Sequence, residues 1–154
     1  MKIIESTDNI DEILENDKSN NKLSFFYFTA SWCGPCQRIF PLLLTLEDEY
    51  NKSIEEKNKE LISESSDSSE DDEEVKEEVK EEVKEEVKEE EDKEEIQEKI
   101  VFYKIDINEN EEYANKCNIK SVPTFYLFNG ENKLGETSGA NIEKIAKLIK
   151  DNIK

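Results

Sequence analysis

The chain has 154 residues, 40 acidic and 21 basic side chains, no histidine and a formal charge of −19. That length suits one domain, but 40% charged against 34% hydrophobic residues lies well off the globular average; the excess is local, since residues 51–98 hold 23 Asp or Glu and 8 Lys. The other 106 residues carry only −4, with no basic stripe for nucleic acid and no apolar run long enough for a membrane span.

In chain order, Ile3-Ile4 is a short apolar pair suited to an edge strand. Thr7 and Asp8 have the chemistry to cap a helix whose inner face is Ile10, Ile13 and Leu14. Asp17 to Lys22 is polar and Asn-rich, which predicts a loop. Leu23 to Thr29 is nearly continuous in aromatic residues and predicts a strand buried on both faces. A helix then starts near Cys33, with an apolar stripe of Ile39, Leu42, Leu43, Leu46 and Tyr50. Pro41 lies inside it and, lacking a backbone donor, predicts a kink.

Residues 51–98 form an acidic low-complexity insert in three sections. Residues 51–62 extend the preceding helix pattern, Ser63 to Asp72 has no structural period, and Val75 to Glu90 is four copies of Val-Lys-Glu-Glu. A four-residue step turns about 400° on a helix, so the valines drift about 40° per copy. Glu77 sits three residues before Lys80 and supports a helix, whereas Glu77 and Glu81 repel. The repeat is thus either disordered or a solvated single helix, and in both cases outside the core. It reads as a plain solvated extension or as an electrostatic arm for basic proteins. Ser68 and Ser69, each with an acid three residues on, suit an acid-directed kinase.

Beyond the insert, Ile100 to Ile107 is strand-like, and Asn108 with Glu111 has capping-box spacing before a short helix carrying Ala114 and Cys117. Cys117 beside Ala114 reads as a small buried hydrophobe. Thr124 to Phe128, Asn129-Gly130 and Lys133 to Thr137 give a hairpin. Ile142, Ile145, Ala146, Leu148, Ile149 and Ile153 then form a closing amphipathic helix. The order βαβα, insert, βαββα predicts an α/β fold with a mixed sheet and helices on its faces.

Trp32-Cys33-Gly34-Pro35-Cys36 carries the chemistry. At the opening of a helix, unpaired backbone N–H groups and the positive end of the dipole favour a thiolate on Cys33. Cys36, about one turn further in, is placed to close a disulfide and is shielded from other attackers. Pro35 costs no hydrogen bond in the first turn, and Gly34 keeps the sulfur approachable. The Cys33 thiolate would attack a substrate disulfide and Cys36 would resolve the mixed disulfide. Half of a zinc site, a structural disulfide and an inert pair in a binding module are the alternatives; zinc needs four ligands, and only Cys117 and carboxylates remain to complete them. Without histidine, His-dependent triads are excluded. Glu5, Asp8 and Asp11 interrupt what would be the apolar stretch of a secretory leader, so a reducing, cytoplasmic setting is expected.

Residues 1–50 and 99–154 resemble the thioredoxin family, as one discontinuous domain split by the insert. Ala30-Ser31-Trp32-Cys33-Gly34-Pro35-Cys36 matches the family's active-site segment and Pro41 its helix-kinking proline. Ser121-Val122-Pro123-Thr124-Phe125 is similar to the family's cis-proline loop, Gly139 to the glycine before its last helix, and Lys104 to the lysine of its central strand. The resemblance implies a thioredoxin fold and a protein-disulfide reductase that needs no bound cofactor beyond its redox-active Cys33–Cys36 disulfide. It also implies a cis Pro123 opposite the cysteines and Trp32 over the disulfide. Protein disulfides would be the substrates, with thioredoxin reductase or glutathione as electron donor. One departure matters: the family usually has a buried Asp where this chain has Tyr27, and the strand Phe25 to Thr29 is closer to the tryparedoxin and nucleoredoxin branch. Loss of that carboxylate predicts more acidic thiols. It also leaves proton transfer at Cys36 to water near Lys104 and the Tyr27 hydroxyl, unless Tyr27 is only a packed aromatic.

Overall fold

The computed structural model describes residues 1–64 and 99–153. The four Val-Lys-Glu-Glu copies, Ser68, Ser69 and all of the proposed arm beyond residue 64 lie outside the described residues. The elements are β1 (Lys2–Ile4), α1 (Ile10–Ser19), β2 (Lys22–Thr29), α2 (Gly34–Glu64), β3 (Lys99–Asp106), α3 (Glu111–Lys116), β4 (Thr124–Asn129), β5 (Asn132–Ser138) and α4 (Ile142–Asn152). The strands form one sheet in the order β1-β3-β2-β4-β5. β3 runs parallel to β1 and β2, while β4 runs antiparallel to β2 and β5, so the sheet is mixed as expected.

The aromatic run occupies the middle strand because only there are both faces covered. Side chains alternate across a strand, and β2 divides accordingly. Leu23, Phe25 and Tyr27 join Ile39, Leu43 and Leu46 of α2 and Ile145 and Ile149 of α4 in one core. Phe26 and Phe28 join Ile10 and Leu14 of α1 with Tyr103, Ile105, Tyr126 and Phe128 in the other. Across the β2–β3 register, Phe25 meets Phe102 with ring centroids 4.5 Å apart, and Phe26 meets Tyr103 edge-on at 5.6 Å. Each such buried ring contributes about 1.5–3 kcal/mol by its transfer from water. Asn129-Gly130 makes the β4–β5 turn, with Gly130 at φ 57°, a left-handed conformation that glycine adopts freely.

Several local expectations are corrected. The N-cap of α1 is Asn9, whose side chain accepts from the Glu12 amide, while Asp8 instead accepts from the Glu5 amide. The loop expected from Asp17 begins only after Ser19, because Asp17 is buried on α1 and accepts 2.8 Å hydrogen bonds from the Ser24 and Tyr103 hydroxyls. Leu42 leaves the apolar stripe of α2 and is 49% exposed. The cap of α3 is Asn110, not Asn108, and it makes no side-chain cap bond; its amide donates to the Ile4 and Asp106 carbonyls, tying the helix start to β1 and β3. Cys117 is the C-cap of α3 and only half-buried.

The boundary placed after residue 50 falls inside α2, which runs through Pro41 to Glu64. Asn51 exchanges two hydrogen bonds with the backbone of Ile100, Ile54 is buried, and Glu55 pairs with Lys99. The first turns beyond Tyr50 are therefore part of the packed domain. Their partners lie across the insert, where local periodicity has no information.

Candidate active site

Cys33 and Cys36 form a disulfide with an S–S distance of 2.05 Å at the start of α2. The end of β2 positions them: Thr29 closes the strand, and the Cys33 amide donates to the Ala30 carbonyl, turning the chain into the helix. The Cys36 amide points at the Cys33 sulfur at 3.2 Å, one of the unpaired donors of the helix start aimed at the atom that would carry charge. The first turn of α2 contains no acidic residue, although the chain as a whole carries −19. Nothing in that turn offsets the positive end of the helix.

The two sulfurs have different neighbours. Both cysteines are buried, Cys33 at 4% and Cys36 at 1% exposure, and they differ in what surrounds them. The Cys33 sulfur lies 3.8 Å from the Val122 carbonyl oxygen, in the loop where the Val122–Pro123 peptide is cis. Trp32, 69% exposed, flanks it. Gly34 opens the helix, and an added Cβ there would meet only the Arg38 guanidinium at 3.7 Å. Gly139, at φ 88°, donates its amide to the Pro123 carbonyl, so the turn before α4 holds the proline loop from behind. Lysine 104 and tyrosine 27 stand on the inner side. Tyr27 is fully buried, stacks on Phe125 at 5.3 Å, and donates its hydroxyl to the Cys36 carbonyl at 2.8 Å. Burial raises its pKa. Tyr27 is thus a packed aromatic whose hydroxyl also reaches the backbone of Cys36.

Lys104 stands on an interior strand, because β3 lies between β1 and β2. Its ammonium sits 5.2 Å over the Phe40 ring. Tyr27, Cys36, Phe40, Lys104 and Asp106 line a cavity of about 260 Å³ behind the disulfide. Asp106 is the member that sequence reasoning missed; its two-residue spacing from Lys104 on one strand was the available signal. Cys117 stands apart, on the opposite face of the sheet, and burial raises its pKa. Among the described residues no group of three or more Cys, Asp or Glu is arranged to hold a metal, and no helix is long and apolar enough to cross a membrane.

A sequence model of the thioredoxin family matches residues 2–76 and 84–151. The chain belongs to the thioredoxin family. It is 26% identical over 151 residues to thioredoxin of Callithrix jacchus and, over the same length, to that of Homo sapiens, in each case over 98% of this chain and 97% of the relative. Among solved structures, Fasciola hepatica thioredoxin superposes with a TM-score of 0.63 at 20% identity, covering 98% of both chains. Plasmodium falciparum thioredoxin does so with a TM-score of 0.56 at 26% identity, covering 99% of both. The mixed five-stranded sheet with helices on both faces is the thioredoxin fold, and with its Cys33–Cys36 pair the protein is a thiol–disulfide oxidoreductase, a protein-disulfide reductase.

Proposed function

We propose that this thioredoxin-family protein reduces protein disulfides with Cys33 as nucleophile and Cys36 as resolving thiol. The observation that carries the assignment is the position of the pair at an acid-free helix start, with the Cys33 sulfur beside the Val122 carbonyl and Cys36 beneath it. In the reduced state the Cys33 thiolate attacks a substrate disulfide and releases one substrate thiol. Cys36 then attacks the Cys33 sulfur, the second substrate thiol leaves, and the two electrons of the dithiol have passed to the substrate.

The surface around Cys33 fits an extended substrate segment. Val122, before Pro123, offers backbone hydrogen-bonding groups in the manner of strand addition, and Trp32 supplies an exposed aromatic wall with Gly34 and Pro35 at its foot. Thioredoxin reductase or glutathione returns the electrons, in the cytoplasm. The insert serves as an acidic arm for basic proteins. Tyr27 favours a second reading, an oxidoreductase of the tryparedoxin or nucleoredoxin kind, which uses the same cysteines with a different donor.

Trapping tests the assignment. Cys36→Ser incubated with a disulfide-bonded protein should accumulate a mixed disulfide on Cys33, visible as a reducible adduct by mass. The adduct should be absent with Cys33→Ser. Adducts that form equally with both variants, or with neither, defeat the proposed roles, and partners retained without either cysteine would instead support a binding module.

A further inference from the structure

Resolution of the mixed disulfide requires Cys36 as a thiolate, yet Cys36 is all but closed to bulk solvent on the substrate side. The cavity behind it, with exposed Ser31 and Gln37 at its rim, has room for several waters and polar groups to bind them. The titratable groups facing it are Cys36 from α2, Tyr27 from β2, and Lys104 and Asp106 from β3. Lys104 and Asp106 share one face of β3 and stand in register with Tyr27 and Thr29.

Three of these groups do not take the proton. Cys36 is its source. The Tyr27 hydroxyl is already donated to the Cys36 carbonyl, and a lysine ammonium has donors but no acceptor. Asp106 is left. Its Oδ1 accepts the Asn108 amide at 2.9 Å, which fixes the carboxylate at the end of β3.

We propose that Asp106 accepts the Cys36 thiol proton through water in this cavity, with Lys104 as the compensating charge. The assignment rests on the dithiol chemistry proposed above. In the mixed disulfide the Cys36 S–H bond breaks and its proton passes to the Asp106 carboxylate. The Cys36 sulfur then forms the bond to Cys33 as the Cys33–substrate S–S bond breaks. The leaving substrate thiolate takes up a proton from solvent, and Asp106 returns its own to the same pool. Electrons flow only from the two cysteines to the substrate, so no further reductant enters.

Dithiobis(nitrobenzoate) separates the two steps, because attack by Cys33 releases one coloured thiolate and attack by Cys36 the second. Mixed in stopped flow with the reduced full-length protein, Asp106→Asn should leave the first release unchanged and slow the second about 100-fold near neutral pH, the low end of general-base effects. The deficit should shrink as pH rises and hydroxide replaces the base. Asp106→Glu should restore the second release. The Asn variant keeps the Oδ1 acceptor for the Asn108 amide, so the strand end is preserved. A second release as fast as wild type at every pH, or a Glu variant as slow as the Asn variant, overturns the role of Asp106. A first release no faster than that of free cysteine instead overturns the dithiol assignment itself.

Discussion

Each face of the sheet buries a tyrosine from a central strand, and the two are employed differently. On the α2/α4 face, Tyr27 gives its hydroxyl to a neutral backbone carbonyl beside a cavity that reaches the redox pair. On the α1/α3 face, Tyr103 gives its hydroxyl to the carboxylate of Asp17, which also holds Ser24 and is 1% exposed. The buried carboxylate is therefore on the side away from the sulfurs. A charge placed against the cysteines would raise their pKa values; the same charge behind the sheet only knits α1 to β2 and β3. The fully buried carboxylate is kept from the thiols by the thickness of the sheet, and the carboxylate on their side, Asp106, stands at a strand end beside Lys104 in the cavity behind them.

Base should strain this division most. Burial raises the pKa of all five tyrosines, with Asp17 adding to the effect at Tyr103. Since the folded values lie above the unfolded value of about 10, the native state holds more protons. Stability is then fully present below pH ~10 and falls as pH rises beyond it. Tyrosinate absorbance should stay silent until far-UV circular dichroism is lost; titration near the ordinary value with the fold intact would show the rings to be open. Next comes Asp17→Ala, which leaves the Ser24 and Tyr103 hydroxyls buried without their acceptor. It should cost about 3 kcal/mol in urea unfolding while changing the turnover of a disulfide substrate less than twofold. An equal loss of turnover would mean that the faces are coupled.

Asn51→Ala removes two hydrogen bonds to Ile100 and should cost about 2 kcal/mol, measured by the same unfolding midpoint. Lys99→Ala, which breaks an exposed pair with Glu55, should leave the unfolding midpoint close to that of wild type. Tyr27→Asp is the sharpest probe of the division, because it puts a fully buried carboxylate at the position that touches Cys36. Ultraviolet thiolate absorbance should then titrate at higher pH than in wild type; no upward shift contradicts the argument that the missing charge favours the thiolate.

What the sequence made legible was local. The β2 run, the Cys-x-x-Cys pair and the Asn-Gly turn each declare themselves within a few residues, and the structure places them as read, whereas the cis Val122–Pro123 step was expected only from the family resemblance. Asp17 was hidden because its polar neighbours look like a loop, while Tyr103, which justifies its burial, is 86 residues away. The cap of α3 was misplaced for a similar reason, since the Asn110 amide is engaged by Ile4, 106 residues earlier. Leu42 matched the helical period but is half exposed among the described residues, and periodicity alone does not reveal which side of a stripe is covered.

α2 has one more consequence. Its 31 residues make a rod about 45 Å long, with the sulfurs at one tip and Glu64 at the other. Lys99 lies at the far end of β3, about 23 Å of strand before Asp106. At physiological ionic strength the Debye length is about 8 Å, so fixed charge at either junction of the acidic tract is extinguished by salt well before it is felt at Cys33. The helix is a standoff: the two described ends of the tract are anchored far from the sulfurs, so fixed charge at those anchors does not set the potential at Cys33.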